Sequence, residues 1–439
     1  MSKKRLRIVS LVVAVVLAVS TFLLAGHVAT EQAEADSNQA VISGQKLFNQ
    51  NDLPHNADSE VYDYLSDIAF GGVSKPNLDS RASIIKALPA NKKENLVVGW
   101  SAPTQGSTYF AGTKVGAEQQ CEKYGYTLKY LAAENFDATQ ESANIEALVL
   151  QKVDVLVVDP ADTQANLSDV QRAVAQGIPI IAVGVAFNPD APVVTTITNN
   201  NYWVGFATGQ YASKLYKEKI TAIDILGQRG HPVSEAEDNG FLAGWVWGKM
   251  EQAGNAKVVE DAMIEGFNFF KQLRDNGKVD MSKYNLNLAG SGNGEFIETT
   301  GMAVAEDLLT ANQDTSLIYA HNDHMGMGAA KVVEERGLQD KIKIVCVSDG
   351  DTVGLEAVRD GKLECTGYNS GVMIGKNAIE LTHKIFSEGY DANNMPIVSG
   401  LPIVVINKDN VGNFIAEGSE YAKEIWIDYK TIDELLAGR

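Results

Sequence analysis

From position 96 onward the chain alternates short, continuously apolar runs with amphipathic stretches, and this alternation decides the fold class. LVVGW, VDVLVVDP and IPIIAVGV are apolar at successive positions, not at every second one. A strand reads this way when helices cover both faces of a parallel sheet. LVVGW is followed by a helix over 109–124 and strand TLKYLAAE. Helix ATQESANIEALVLQ, strand VDVLVVDP, helix TQANLSDVQRAVAQG and strand IPIIAVGV complete a first α/β set. A second set begins near Asn199 with a helix over 202–216, strand ITAIDILG, the connection GQRGHPVSEAEDNGF and a helix over 242–253. KVVEDAMI reads as a strand, followed by an irregular stretch to Gly294 in which GSGNG is a loop. The set goes on with a helix over 297–312, strand SLIYA, a helix ending at Arg336, strand IKIVCVSD, helix TVGLEAVRDG and strand LECTGYN. A helix over 371–389 and a late strand, PIVVIN, close the pattern. Short loops between these elements fit right-handed crossovers. Two successive sets imply two Rossmann-like lobes. Parallel sheets bind ligands beyond the carboxyl ends of their strands, which makes SAPTQGST, after LVVGW, the first place to look for a site.

Charge narrows the function. The chain carries a formal net charge of -19, which disfavours nucleic acid and anionic lipid as surface partners. Its start, KKRLR, leads into an apolar run over 8–26, and Ala33-Glu34-Ala35 has the small-x-small form of a cleavage site. Residues 1–35 therefore read as a cleaved export signal or an uncleaved N-terminal anchor. Both place the remainder outside the cytoplasm, on the periplasmic or extracellular side. His27 stands where a lipid-modified cysteine would be needed, so no lipid anchor is expected there. Residues 36–95, polar and rich in turn formers, read as an N-terminal extension. Cys121, Cys346 and Cys365 are too few for a disulfide scaffold. Buried free thiols are the expectation, with a Cys346–Cys365 bridge between neighbouring strands as the alternative.

Several segments then recur in a telling order: DVLVVDPAD, IPIIAVG, TNNNYWVGFATGQY, DNGFLAGW, AHNDHMGMGAA, VSDGDTVGLEAV and TGYNSGVMIG. Together with the aromatic pair in the first loop they resemble the type I periplasmic sugar-binding proteins, the ribose-, galactose- and xylose-binding family. The resemblance runs over roughly 96–407. It implies an α/β fold of two Rossmann-like lobes joined by three crossing strands, with a ligand cleft between them. One lobe would combine 96–201 with 370–400, and the other 202–369 with 401–439. It also implies capture of a sugar or sugar-like solute for a membrane ABC permease, without a cofactor and without catalysis. A ligand sensor that shows its closed form to a chemoreceptor or sensor kinase is the alternative on the same fold. A repressor of the lactose-repressor type shares the core, but the export signal occupies the place of its DNA-binding helices.

Carried onto this sequence, the family's ligand positions fall at Ser107, Tyr109 and Phe110 on the first lobe, with Gln105 beside them. On the second lobe they fall at Glu235, Phe296, Asn322, Asp349 and Asn369. Aromatic faces would pack on the C–H faces of a sugar ring, while amides and carboxylates would take its hydroxyls. Capping of the following helices competes with ligand contact at Asn322 and Asp349. Two departures stand out. Gly184-Val185 replaces the family's Asp-Arg pair, and Glu235 replaces an arginine, so donors give way to acceptors. The ligand is thus expected to be a larger, modified or cationic molecule, or a sugar held by other side chains such as Gln228 or Arg229. The 260–294 insertion is expected to line or cover the cleft. No Cys or further His lies near His321 and His324 in the sequence, so a metal site is not expected there. No nucleophile elbow, phosphate loop or zinc-protease motif is present in the sequence.

Overall fold

Burial on both faces is what turns the apolar runs into strands. In the computed structural model, β1 (Val97–Ala102), β2 (Thr127–Ala132), β3 (Val155–Val158), β4 (Ile180–Val183) and β5 (Val193–Thr198) alternate with helices α1 (Thr108–Tyr124), α2 (Ala138–Leu150) and α3 (Leu167–Ala175). Every residue of β3, β4 and β5 is buried. The structure describes residues 87–88, 93–187, 190–393, 395–415, 424–427, 429, 431 and 434, all within one unit, Phe48–Arg439. The export signal or anchor, and the extension as far as residue 86, lie outside these residues. Among the described residues no helix is long and apolar enough to cross a membrane.

The second set comprises α4 (Asn201–Lys214), β6 (Ile220–Leu226), α5 (Pro232–Gln252), α6 (Val259–Asn276), β7 (Val279–Met281), β8 (Leu286–Asn293), α7 (Glu298–Ala311) and β9 (Thr315–Ala320). It continues through α8 (Asp323–Glu335), β10 (Lys343–Cys346), α9 (Thr352–Arg359) and β11 (Cys365–Gly367). Then α10 (Gly371–His383), β12 (Val398–Gly400) and β13 (Val405–Asn407) follow. The strands form two sheets, ordered β12-β5-β4-β3-β1-β2 and β13-β11-β10-β9-β6-β8-β7. The first is parallel throughout, and the second is antiparallel only at its two edge pairs. The fold is that of a type I periplasmic binding protein.

The chain crosses between the sheets three times: after β5, after β11, and between β12 and β13. The crossings are tied to each other. Leu401 N–H donates to Thr198 O at 2.9 Å, Tyr368 N–H to Val404 O at 2.9 Å, and the Asn369 amide to Asn201 Oδ1 at 3.3 Å.

Four reading errors have physical causes. KVVEDAMI is no strand, because α6 begins at Val259 and buries Val259, Ala262, Met263, Gly266, Phe267, Phe270 and Leu273, a helical spacing. GSGN lies in β8, not in a loop. A side chain at Gly290 or Gly292 would run into Leu308 or Val304 of α7, so these glycines let the helix pack closely. β5 went unread because VVTTIT looks polar, yet Thr195 Oγ1 donates to Pro396 O at 2.8 Å and pairs with Ser399 Oγ at 2.9 Å on the incoming β12 segment. Finally, α5 starts at Pro232, not at 242, with the His231 ring accepting from Val233 N–H as its cap.

Glycines also set two helix pairs that place the cleft's walls. On α1 a Cβ at Gly116 would collide with Val372 O, while on α10 a Cβ at Gly371 or Gly375 would collide with Tyr109 O or Thr113 O. On α4 and α5 the same holds for Gly209 against Phe241 O, Gly240 against Tyr202 O and Gly244 against Phe206 O. Backbone lies on backbone at both places, which only glycine allows.

Candidate functional site

In each sheet the residues read as ligand contacts sit just past the carboxyl ends of parallel strands, Glu235 excepted. After β1, Gln105 is exposed beside the Tyr130 hydroxyl, and Ser107 occupies the N-cap of α1 without its side chain making a capping bond. Tyr109 and Phe110 are half-buried in the first turn of α1 and meet edge to face at 5.2 Å. Phe110 in turn meets Phe136 edge to face at 5.6 Å. Phe136 is exposed with φ 60°, a conformation an aromatic residue rarely adopts. It extends the aromatic wall and went unread, although an aromatic in the turn NFD between β2 and α2 was the available signal.

A second unread residue is Asp159, directly after β3. It is 3% exposed, and its Oδ2 meets no donor. Burial, then the neighbouring Glu141, pushes its carboxyl well above the usual range. Its carboxylate leans on Gly184, where a Cβ would collide with Asp159 Oδ1 and where φ is 71°. The missing Asp of the family's pair therefore has a local reason: Asp159 fills the space a side chain at 184 would need. Asn199, after β5, brings its side chain to the Tyr109 hydroxyl, and its Oδ1 has no donor. Burial first, then Asp159 and Asp349, raises the Tyr109 pKa. Asp349 belongs to the second lobe, so the two walls face each other here.

On the second lobe Asn322 caps α8: its Oδ1 accepts from Met325 N–H at 2.9 Å and its amide donates to Phe296 O at 3.2 Å. Phe296 holds φ 58° and lays its ring over Gly227, where any Cβ would collide with it, edge-on to His231 at 5.8 Å. Asp349 is no cap. That role belongs to Asp351, which accepts from Gly354 N–H at 3.0 Å. Asp349 instead holds φ 86°, leaves Oδ2 without a donor and is pushed up to about 7, by burial first and then by Asp351. Asn369 is 6% exposed, with Oδ1 free of any donor. Glu235 was read as a loop residue and is instead half-buried in the first turn of α5.

The two histidines part company. His324 Nε2 meets Asp351 Oδ2 at 3.0 Å, and that bond raises it. His321 is fully buried among Asp238 at 3.0 Å, Glu237 at 3.1 Å and Asp224 at 3.4 Å. Burial alone would lower it, but the three carboxylates outweigh burial and keep it protonated. This cluster joins β6, α5 and β9 beneath the cleft. Cys121, Cys346 and Cys365 are free and buried. Trp203, Trp245 and Trp247 are buried as well. Residues 260–294 form α6, β7 and β8 at the far edge of the second sheet.

A family model described as the periplasmic binding protein domain matches residues 98–389. The ribose import binding protein of Salmonella typhimurium is 26% identical over 308 residues, 70% of this chain and 90% of that protein. The D-apiose import binding protein of Actinobacillus succinogenes is 22% identical over 296 residues, 67% of this chain and 84% of that protein. Among solved structures, an ABC transporter periplasmic solute binding protein from Actinobacillus succinogenes with bound D-allose matches with a TM-score of 0.58 at 21% identity. It covers 73% of this chain and 100% of that one, a likeness of fold.

Proposed function

The chain belongs to the periplasmic binding protein domain family, and from that premise we propose that it captures a sugar or sugar-like polar solute for an ABC importer outside the cytoplasm. The observation that carries this reading is the gathering of unpartnered buried acceptors, Asp159 and Asn199 on one wall and Asp349 and Asn369 on the other, just past the carboxyl ends of strands in two sheets. The import binding proteins it resembles along most of their length support the same role. The contacts in this reading are Ser107, Tyr109 and Phe110 with Asp159 and Asn199 on one wall, and Phe296, Asn322, Asp349 and Asn369 on the other. A ligand that bonds to both walls favours the closed arrangement, and the permease reads that arrangement. The lobes share three crossings tied by hydrogen bonds, which suits a hinge.

A thermal-shift screen against sugars, polyols and their derivatives tests this, because a solute that binds only the folded chain raises its melting temperature. The expected result is a concentration-dependent rise for a narrow set of compounds, lost in Asp349→Ala while the variant stays folded. A screen without any carbohydrate response would refute it.

A further inference from the structure

The cleft offers acceptors and almost no charge to balance them. Asp159 Oδ2, Asn199 Oδ1, Asp349 Oδ2 and Asn369 Oδ1 are all buried and, among the described residues, all lack a donor. Asn199 and Asn369 are 7% and 6% exposed and are not acids, so the pattern is more than two carboxylates in proximity. The titratable groups that bear on Asp159 and Asp349 include Glu141, Asp351, Asp323, Glu237, Tyr109 and His324. The one cation among them, His324, is already bonded to Asp351. Arg229 follows β6 but turns away, donating to Arg274 O at 3.1 Å and to Ser291 Oγ at 3.3 Å. Val185 and Glu235 stand where the resembled family carries arginines.

A neutral sugar brings hydroxyls that both donate and accept, and it leaves buried carboxylates without a counter-charge. A buried charge is tolerated when it is paired and hydrogen-bonded. An ammonium group supplies three donors, no acceptor and one positive charge, which is the complement of this set. We infer that the cleft takes a protonated primary amine carried on a sugar or polyol, an amino sugar in the simplest case. The inference rests on the solute-binding reading and names its ligand class. The ammonium lies between Asp159 and Asp349 with Asn199 Oδ1 as third acceptor, and Phe110 and Phe136 border the apolar face of the ring. Because the site's acids must ionise to hold the amine, affinity falls as the pH drops below about 7.

The test is calorimetric titration of the exported chain with D-glucosamine and D-galactosamine against D-glucose, D-galactose and N-acetyl-D-glucosamine, at pH 7 and pH 5. The expected result is at least tenfold tighter binding of one amine than of its neutral and acetylated counterparts at pH 7, with that preference shrinking at pH 5. Asp159→Asn keeps the shape and removes the charge, so it is expected to cost the amine at least tenfold more than it costs a neutral sugar. Asp349→Asn is the second variant, should the first fail to fold. Equal or tighter binding of a neutral sugar, or amine binding indifferent to both variants, overturns the inference and leaves the solute-binding reading standing. No binding of any of these compounds, followed by no response across a wider carbohydrate library, overturns both.

Discussion

Glu141 is where the sequence, the fold and the site meet, and replacing it by Gln gives a sharp expectation. It lies in the first turn of α2 and is fully buried. Its Oε1 accepts from Ser101 Oγ at 3.0 Å, at the end of β1, and its Oε2 accepts from Ala161 N–H at 2.5 Å, just after β3. Those bonds favour the ionised form, but burial outweighs them and raises the carboxyl from 4.5 to about 7. Below pH 4.5 the folded and unfolded chains both hold this proton, and the contribution to stability is complete. Between 4.5 and about 7 the unfolded chain has released it while the folded chain keeps it. Above that, folding must bury a charge. Stability therefore falls as pH rises through this window. At about 1.4 kcal/mol per tenfold change in proton affinity, the loss is at most about 3 kcal/mol. Glu141→Gln stays neutral at every pH, still accepts from Ala161 N–H, and donates to a Ser101 hydroxyl turned round to accept. Urea unfolding of both proteins at pH 5 and pH 8 reads the effect of Glu141 together with that of Asp159, which Glu141 also raises, while raised acids such as Asp238 and Asp349 are common to both. The variant is expected to match the parent within about 1 kcal/mol at pH 5 and to exceed it by about 2–3 kcal/mol at pH 8. An equal difference at both pH values, or a variant weaker at pH 8, would mean the carboxylate is ionised throughout and held by its bonds.

The remaining expectations can be read in single experiments. Gly244→Ala drives a methyl group into Phe206 O, backbone that cannot turn aside, and should cost at least the upper end of the roughly 1–3 kcal/mol typical of overpacking, seen as a lower urea midpoint. Asn322→Ala should lose about 1 kcal/mol with the α8 cap, whereas Asn322→Asp keeps the cap acceptor. A ligand response lost in both variants assigns Asn322 to the ligand, and one kept in Asp leaves it a cap. Burial raises all three thiols, so a disulfide reagent should label none in the folded chain and all in denaturant, with stability unchanged by reductant.

Legibility followed how locally each feature is encoded. Buried parallel strands such as VLVV and IIAV announce themselves, because both faces must be apolar whatever lies beyond. β5 and β8 did not, since their polar and glycine positions make sense only against partners far along the chain: Ser399 for Thr195, Leu308 and Val304 for Gly290 and Gly292. The helix α6 was hidden for a related reason. Its first turns, within KVVEDAMI, hold two short apolar runs around an acidic pair, and only the longer run to Asn276 reveals the helical period. Site residues divide the same way. Asp349 stands at a strand end before a helix, where capping and binding look identical in sequence. Asp351, two residues on, takes the cap and frees Asp349.

Asp159 and Gly184 carry that reasoning furthest. Read singly, an acid after a strand is a turn former and a glycine after a strand is a breaker. They sit 25 positions apart in the sequence but on neighbouring strands, β3 and β4, and the carboxylate of one occupies the side-chain space of the other. A change at one position therefore demands a change at the other. Restoring a side chain at 184 would displace the Asp159 carboxylate, and its φ of 71° would add strain for any residue but glycine. At Gly184 the backbone therefore leaves room for the Asp159 carboxylate, which stands where a side chain at 184 would be. Among the described groups that bear on Asp159 and Asp349, the one cation, His324, is already bonded to Asp351, so burial keeps both carboxyls raised. On the amine proposal the ligand's ammonium supplies the charge that lets both acids ionise.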